Sequence, residues 1–343
     1  MAHMDIFNDD AFSLVNMTAA VEKMPFVPGY LGSLNLFASE SVSTDIVSIE
    51  EKSGTLSLIQ TSQRGAPIPM GSTDKRKMRN FSIPRIAKGD QVFAREVQGI
   101  RAFGTESELQ SVVQLIVQKQ MKLMQEFQLT MEFHRLGALQ GILLDSDNST
   151  VLYNYFTEFG ISQPAEIDFD LDAASPAEGV LINLIRESVK RPIIRALGAA
   201  GNSPSLSIIA LCGDTFYDQF TTHNDVRVTY KNWQAAEALR SADVFSAFRF
   251  GGIEWVNYQG TDDNSTVAIG TGKVKFVVRG VPGLYRRING PGETFETVNT
   301  LGREYYSMLV RDNDRNTWVQ PEIYAYPLHL CTRPEVLLRG KNT

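Results

Sequence analysis

TESELQSVVQLIVQKQMKLMQEFQLTMEFHRLGAL, from Thr105 to Leu139, is the longest uninterrupted helical signal in the chain. Thr105 and Glu108 form a capping box, in which the hydroxyl and the carboxylate each satisfy a backbone N–H of the first turn. No Pro or Gly follows until Gly137. On a helical projection Leu109, Val112, Val113, Ile116, Leu123, Met124, Phe127, Met131 and Ala138 share one apolar stripe. Gln114, Gln118, Lys122, Gln125 and Glu132 take the other side. At about 1.5 Å per residue the rod is about 50 Å long, far beyond the mean helix of about 11–12 residues. It is too long for the interior of one ordinary globule and predicts a spine crossing a flat, elongated molecule. The stripe is broad and lacks a strict a/d heptad with charged e and g positions, which favours a spine over a coiled-coil segment.

The chain has 343 residues, enough for a sizeable core and two lobes. Its 43% hydrophobic and 21% charged residues are those of a soluble globular protein. With 33 basic against 39 acidic residues the formal net charge is −6, which argues against sequence-independent binding of nucleic acid. Cys212 and Cys331 lie far apart in apolar surroundings and read as buried thiols of a reducing compartment, not as a disulfide or metal pair. No run approaches the length of a membrane span, and no secretory signal pattern opens the chain.

Residues 1–40 read as an arm. Its acidic start, Asp5 to Asp10, leads into an amphipathic piece, Ser13 to Lys23, before Pro25, Pro28, Gly29 and Gly32 break regular structure. Apolar side chains such as Phe7 and Phe12 must be buried on the chain's own body or on a neighbouring subunit. Alternating patterns at Thr44–Glu50 and Thr55–Gln60, with Lys52-Ser-Gly54 as a turn and a returning strand over Asn80–Ile86, predict a long hairpin. Its irregular tip carries Lys75, Arg76, Lys77 and Arg79. That cluster is either a solvated loop end or a contact lying across an acidic surface of a second subunit; without interleaved aromatics a nucleic-acid platform is the weakest of its readings.

Behind the spine, Gly141–Leu144 and Val151–Tyr155 flank Asp145-Ser-Asp-Asn-Ser149, a hairpin with Asx-type turn chemistry. Asp145, Asp147 and Asn148 lack the glycine and the distal bidentate glutamate of a calcium loop. A composition shift at Asp168–Pro176 marks a junction. Pro176 opens a second helix to Leu197, with Val180, Leu181, Leu184, Ile185 and Val189 on its apolar side and Pro192 set to kink it or end it early. Ile208–Cys212 suits a buried strand. Helical pieces are expected at Thr215–Thr222 and Tyr230–Ala236, and strands at Phe245–Phe250, Ile253–Tyr258, Thr266–Ile269, Val274–Arg279 and Glu322–Pro327. Helices and strands mix without a β-α-β rhythm, so the class is α+β.

Reactive constellations are missing. Gly270-Thr-Gly-Lys273 resembles the end of a phosphate loop, but Val274 stands where a hydroxyl would coordinate magnesium and Val267 where the first glycine belongs. His3, His134, His223 and His329 are scattered singly, without metal-ligand spacing. No nucleophile elbow occurs. The sequence names no catalytic residue, cofactor site or metal site, and points away from an enzyme.

Several segments resemble the lambda-type major capsid protein family of tailed bacteriophages. Phe81-Ser-Ile-Pro-Arg-Ile86, Gly89-Asp90 and Gly99-Ile-Arg-Ala-Phe-Gly104 are similar to that family's lead-in to the spine helix, and Tyr153–Gly160 to its next hairpin. Leu211–Asp218 with His223 and Val226, Arg249–Tyr258, and Phe276–Gly283 continue the resemblance. It is strongest at Pro291–Gly302, Tyr305-Tyr306 and Pro327–Leu338. Each segment alone is weak; their order and spacing from Phe81 to Leu338 carry the match. Residues 1–40 and the basic loop contribute little to it.

The resemblance implies the Hong Kong 97-type shell fold. The expected layout is an arm (1–40), an extended hairpin loop (41–90), a peripheral domain on the spine helix (91–173), an axial domain (174–300) and a C-terminal return (301–343). It also implies a major capsid protein that associates with itself in hexamers and pentamers into an icosahedral shell around double-stranded DNA, without sequence-specific binding. Separate scaffold, portal and decoration proteins, assembly in the bacterial host cytoplasm and a place in the virion capsid follow from the same resemblance. Lys75, Arg76, Lys77, Arg79, Phe7 and Phe12 are the expected inter-subunit contacts. A nanocompartment shell enclosing cargo enzymes, or a soluble oligomeric enzyme, are the alternative readings.

Overall fold

The computed structural model describes residues 29–53, 75–97, 108–173, 177–231, 248–259, 267–315 and 317–342. The spine is present as one helix, Glu108–Gln140, of 33 residues. Thr105 of the capping box lies outside the described residues, as do the side chains of Leu109, Val112, Val113 and Gln114. Ile116, Leu123, Met124, Phe127, Met131 and Ala138 are buried as the stripe requires, and Gln118, Lys122 and Gln125 are exposed. Glu132 is not. Assigned by periodicity to the polar side, it is buried, because the last two turns of the helix are enclosed on nearly all sides. The helix stops at Gly141, whose φ of 83° no β-carbon-bearing residue adopts readily.

Among the described residues three sheets and two hairpins lie around this helix. Strands β1 (Ala38–Ser41), β2 (Ile46–Ser53), β3 (Lys75–Ser82), β4 (Ile86–Gly89) and β5 (Val92–Phe93) precede it. After it come β6 (Ile142–Leu144), β7 (Val151–Asn154), β8 (Ile167–Asp168), β9 (Ser207–Cys212), β10 (Phe248–Phe250), β11 (Ile253–Asn257) and β12 (Lys273–Arg279). The chain closes with β13 (Tyr285–Asn289), β14 (Tyr306–Arg311), β15 (Trp318–Ala325), β16 (Pro327–Cys331) and β17 (Arg339–Lys341). A four-stranded sheet, β14-β15-β4 with β5 also on β15, packs on the first part of the spine through Ile323, Ala325 and Tyr305. A three-stranded sheet, β1-β13-β16, packs on its last part, and β2-β3 and β6-β7 are hairpins.

The second lobe is a six-stranded sheet ordered β10-β11-β9-β12-β17-β8. Five of the six residues of β9 are buried, which fits its place between parallel β11 and antiparallel β12. Trp255 stacks on Phe220 at 3.8 Å between ring centroids and forms the aromatic centre of the lobe with Phe216, Phe169 and Phe276. β8 and β17, from before residue 174 and from the C-terminus, pair with each other at the edge of this sheet. The α+β class is therefore the observed one.

Several local expectations are corrected. Pro192 does not end the second helix: Val180–Leu184, Ile185–Lys190 and Arg191–Leu197 run on, the middle part π-wound. Widening the turn ahead of the proline accommodates its missing N–H and its ring. Val180, expected on the apolar side of that helix, is exposed. Lys52 and Ser53 form no turn but continue β2, Ser53 opposite Lys75. Val267–Ile269 form no strand, although Val267 and Ile269 are buried, so the apolar signal there came from packing and not from a ladder. The helix expected at Tyr230–Ala236 begins earlier, as Asn224–Lys231; residues 232–236 lie outside the described ones, as do Thr55–Gln60.

Candidate assembly surface

Two segments are fastened beside the spine helix. The first is the four-residue helix Tyr30–Ser33. The Glu132 carboxylate caps it: Oε1 accepts the Leu31 N–H at 2.7 Å and Oε2 the Gly32 N–H at 3.1 Å. Arg135 Nη1 donates to Glu132 Oε2 at 3.3 Å, and the Tyr258 hydroxyl to Oε1 at 3.4 Å. Burial, then the neighbouring Glu132, raises the Tyr258 phenol far above its ordinary value, so it serves as a donor at any working pH. Gly29 lets the carboxylate approach: a β-carbon there would stand 2.4 Å from Glu132 Cδ. One buried carboxylate thus joins the Tyr30–Ser33 helix, the spine and the second lobe.

The second is the β2-β3 hairpin. Phe81, fully buried, sits in a nest of Tyr153, Phe159 and Tyr155 with ring centroids 5.5, 6.0 and 6.4 Å away. The Tyr153 hydroxyl donates to the Ser82 carbonyl at 2.7 Å. Arg79 donates Nη1 to the Glu158 carbonyl and Nη2 to the Phe159 carbonyl, the latter at 2.9 Å, with its guanidinium 5.0 Å from the Phe159 ring centroid. A cation over the last carbonyls of Tyr155–Phe159 answers the negative end of that short helix. Further out, the register sets Glu51 opposite Lys77, Lys52 opposite Arg76 and Ser53 opposite Lys75.

The expected contact residues therefore part company. Lys75, Arg76 and Lys77 stand on a regular strand instead of an irregular tip, and Arg79 is engaged at the hairpin's root; the side chains of the first three lie outside the described residues, as do Phe7 and Phe12 altogether. Asp147, weighed above for calcium, spends its carboxylate on its own turn, accepting from the backbone and hydroxyl of Ser149 and Thr150. Sequence reading missed the Glu132 cap. Its only signal was a carboxylate near the end of the helix on an otherwise enclosed turn.

The spine meets β16 at a pair of buried histidines, His134 and His329, with ring centroids 6.3 Å apart. Burial pulls His134 down to about 4, and burial with the Arg287 and Arg135 charges holds His329 well below the ordinary range, so both are neutral. Burial pushes the Cys331 thiol up to about 12 and the Cys212 thiol well above its ordinary value; both are free.

The model of the phage major capsid protein E family matches residues 13–342. The chain belongs to this family. Relatives described as major capsid proteins agree with it along nearly their whole length: that of Pseudomonas phage KPP10 is 26% identical, covering 96% of this chain and 97% of the relative. That of Salmonella phage Felix O1 is 24% identical, covering 95% of each. Among solved structures, the putative capsid protein of a prophage of E. coli CFT073 superposes with a TM-score of 0.59 at 10% identity, over 96% of this chain and 99% of that one. The capsid of cyanophage P-SCSP1u gives 0.52 at 10% identity, over 93% and 90%. At such identities the likeness speaks for the fold alone: this family member has the shell fold of phage capsids.

Proposed function

We propose that the chain is the shell-forming subunit of a tailed phage head, assembling with copies of itself into hexamers and pentamers that close as an icosahedral shell around double-stranded DNA. The observation that carries this is the β2-β3 hairpin: among the described strands each pairs only with the other, leaving two unpaired edges on a ribbon rooted by Phe81 and Arg79. A two-stranded ribbon is marginal alone and exposes templating edges, and a neighbouring subunit beneath it supplies what it lacks. Contacts that are individually weak become stable through the multiplicity of a closed lattice.

In this reading residues 1–40 are the arm, 41–90 the extended loop, 91–173 the peripheral domain, 174–300 the axial domain and 301–343 the return. Lys75, Arg76 and Lys77, with Phe7 and Phe12 of the arm, lie against neighbours, and Arg79 anchors the loop that presents them. The moderately acidic composition suits a container from which DNA must be released. Scaffold, portal and decoration proteins would be separate chains, assembly would take place in the host cytoplasm, and the subunit's role would be structural with no catalysis. The family match and the phage relatives favour this over a cargo-enclosing compartment. Negative-stain microscopy of the purified chain tests it: closed particles support the proposal, and a stable oligomer smaller than a pentamer refutes it.

A further inference from the structure

The loop between β13 and β14 exposes three apolar side chains, Phe295, Val298 and Leu301, and Phe295 is bare to solvent. The loop is braced. The N–H groups of Thr297 and Val298 both donate to the Thr294 carbonyl, at 2.9 and 2.8 Å, and the Thr294 and Thr297 hydroxyls are 2.7 Å apart. Its ends are tied by the Gly290 N–H to the Tyr326 carbonyl at 2.8 Å and the Gly302 N–H to the Val42 carbonyl at 2.9 Å. Ion pairs flank it, Arg85 with Glu293 at 2.7 Å and Arg287 with Glu304 at 2.5 Å. A phenyl ring held out on such a turn is a fixed knob.

Beside the knob is a hollow of about 250 Å³, bounded by Gly292 and Thr294 of the same loop and by Tyr306, Met308, Tyr324 and Tyr326 of the neighbouring strands. Tyr306 and Tyr326 meet edge to face at 5.8 Å, the packing a third ring extends most readily. Phe295 does not line this hollow.

We infer that Phe295 of one subunit seats in the tyrosine-walled hollow of a second copy of this chain, which makes the loop of residues 290–304 a contact between subunits. The inference rests on the self-assembly reading above and gives it a named contact. Knob and hollow lie on one patch, so two copies facing each other there fill both hollows at once, as an isologous contact requires; a different partner would have to bring its own knob and its own hollow. The patch carries both signs of charge, with Arg85 and Glu293 each about half exposed and Glu296 and Arg303 exposed, so a like patch facing it meets opposite charges as well as like ones.

The test is a mixed assembly. Subunits carrying Phe295→Cys and subunits of different tag length carrying Met308→Cys are co-assembled and oxidised, so a heterodimeric disulfide can form only between copies; Cys212 and Cys331 are buried and give no background. The expected result is that heterodimer, absent when either variant is assembled with wild type. Phe295→Ala is expected to raise the protein concentration needed for particles about tenfold, the loss of about 1.4 kcal/mol of contact, with the subunit's unfolding midpoint unchanged because the side chain touches nothing in its own chain. Wild-type-like particles from Phe295→Ala with no heterodimer would overturn the inference and leave the shell reading standing. A wild-type chain that forms no particles would refute both.

Discussion

Glu132 is the residue on which the two lobes and the Tyr30–Ser33 helix converge. It is buried, paired with buried Arg135, and accepts two backbone N–H groups that have no other partner of that strength. Breaking a buried pair leaves the other charge uncompensated, so Glu132→Ala should cost about 3–5 kcal/mol in denaturant unfolding; a loss under about 1 kcal/mol would contradict the assigned role. The histidine pair sets the pH response. His134 is depressed to about 4 in the folded state, below its value near 6.5 when unfolded, so the unfolded chain binds the extra proton between those values. Stability is therefore full above about pH 6.5 and falls as pH drops toward 4, by about 2 kcal/mol at pH 5 from His134 alone, with His329 adding to the fall. Thermal unfolding from pH 7 to pH 5 should show this slope, and His134→Gln should flatten it. A wild-type profile flat across that range would exclude neutral buried histidines. Both thiols should resist a thiol reagent in the native chain and react on denaturation, since burial keeps them protonated.

At the level of elements, the hairpin divides into a root that belongs to its own subunit and a limb that does not. Charge reversal at Lys75, Arg76 and Lys77 should impair particle formation while the subunit's circular dichroism and unfolding midpoint stay as in wild type. Arg79→Glu should also loosen the root, seen as faster amide exchange in residues 155–160, because two carbonyls lose a charged donor. Normal shells from the triple reversal would dismiss the limb as a contact. The spine was legible in the sequence because thirty-odd residues of period 3.6 have no competing reading, and β9 because a short, wholly apolar run is buried on both faces. Other elements were hidden for physical reasons. Basic residues such as Lys75-Arg-Lys look like a loop until strand pairing sets them opposite Glu51 and Lys52. Pro192 reads as a kink or an early end because a π turn that absorbs it leaves no trace in composition. Glu132 reads as solvent-facing because periodicity records one helix and not what encloses its end.

The molecule as a whole sets a spine of about 50 Å against a lobe built on β9 and against the smaller sheets beside it. Among the described residues this architecture is incomplete in two places: a ribbon whose outer edges pair with no other strand, and an apolar knob at Phe295. Whether copies of the chain complete it is decided most directly by cryo-electron microscopy of particles assembled from the purified protein. The account predicts closed shells in which the β2-β3 ribbon of each subunit crosses the body of its neighbour. A small oligomer, or a shell in which every ribbon folds back on its own spine helix, would contradict it.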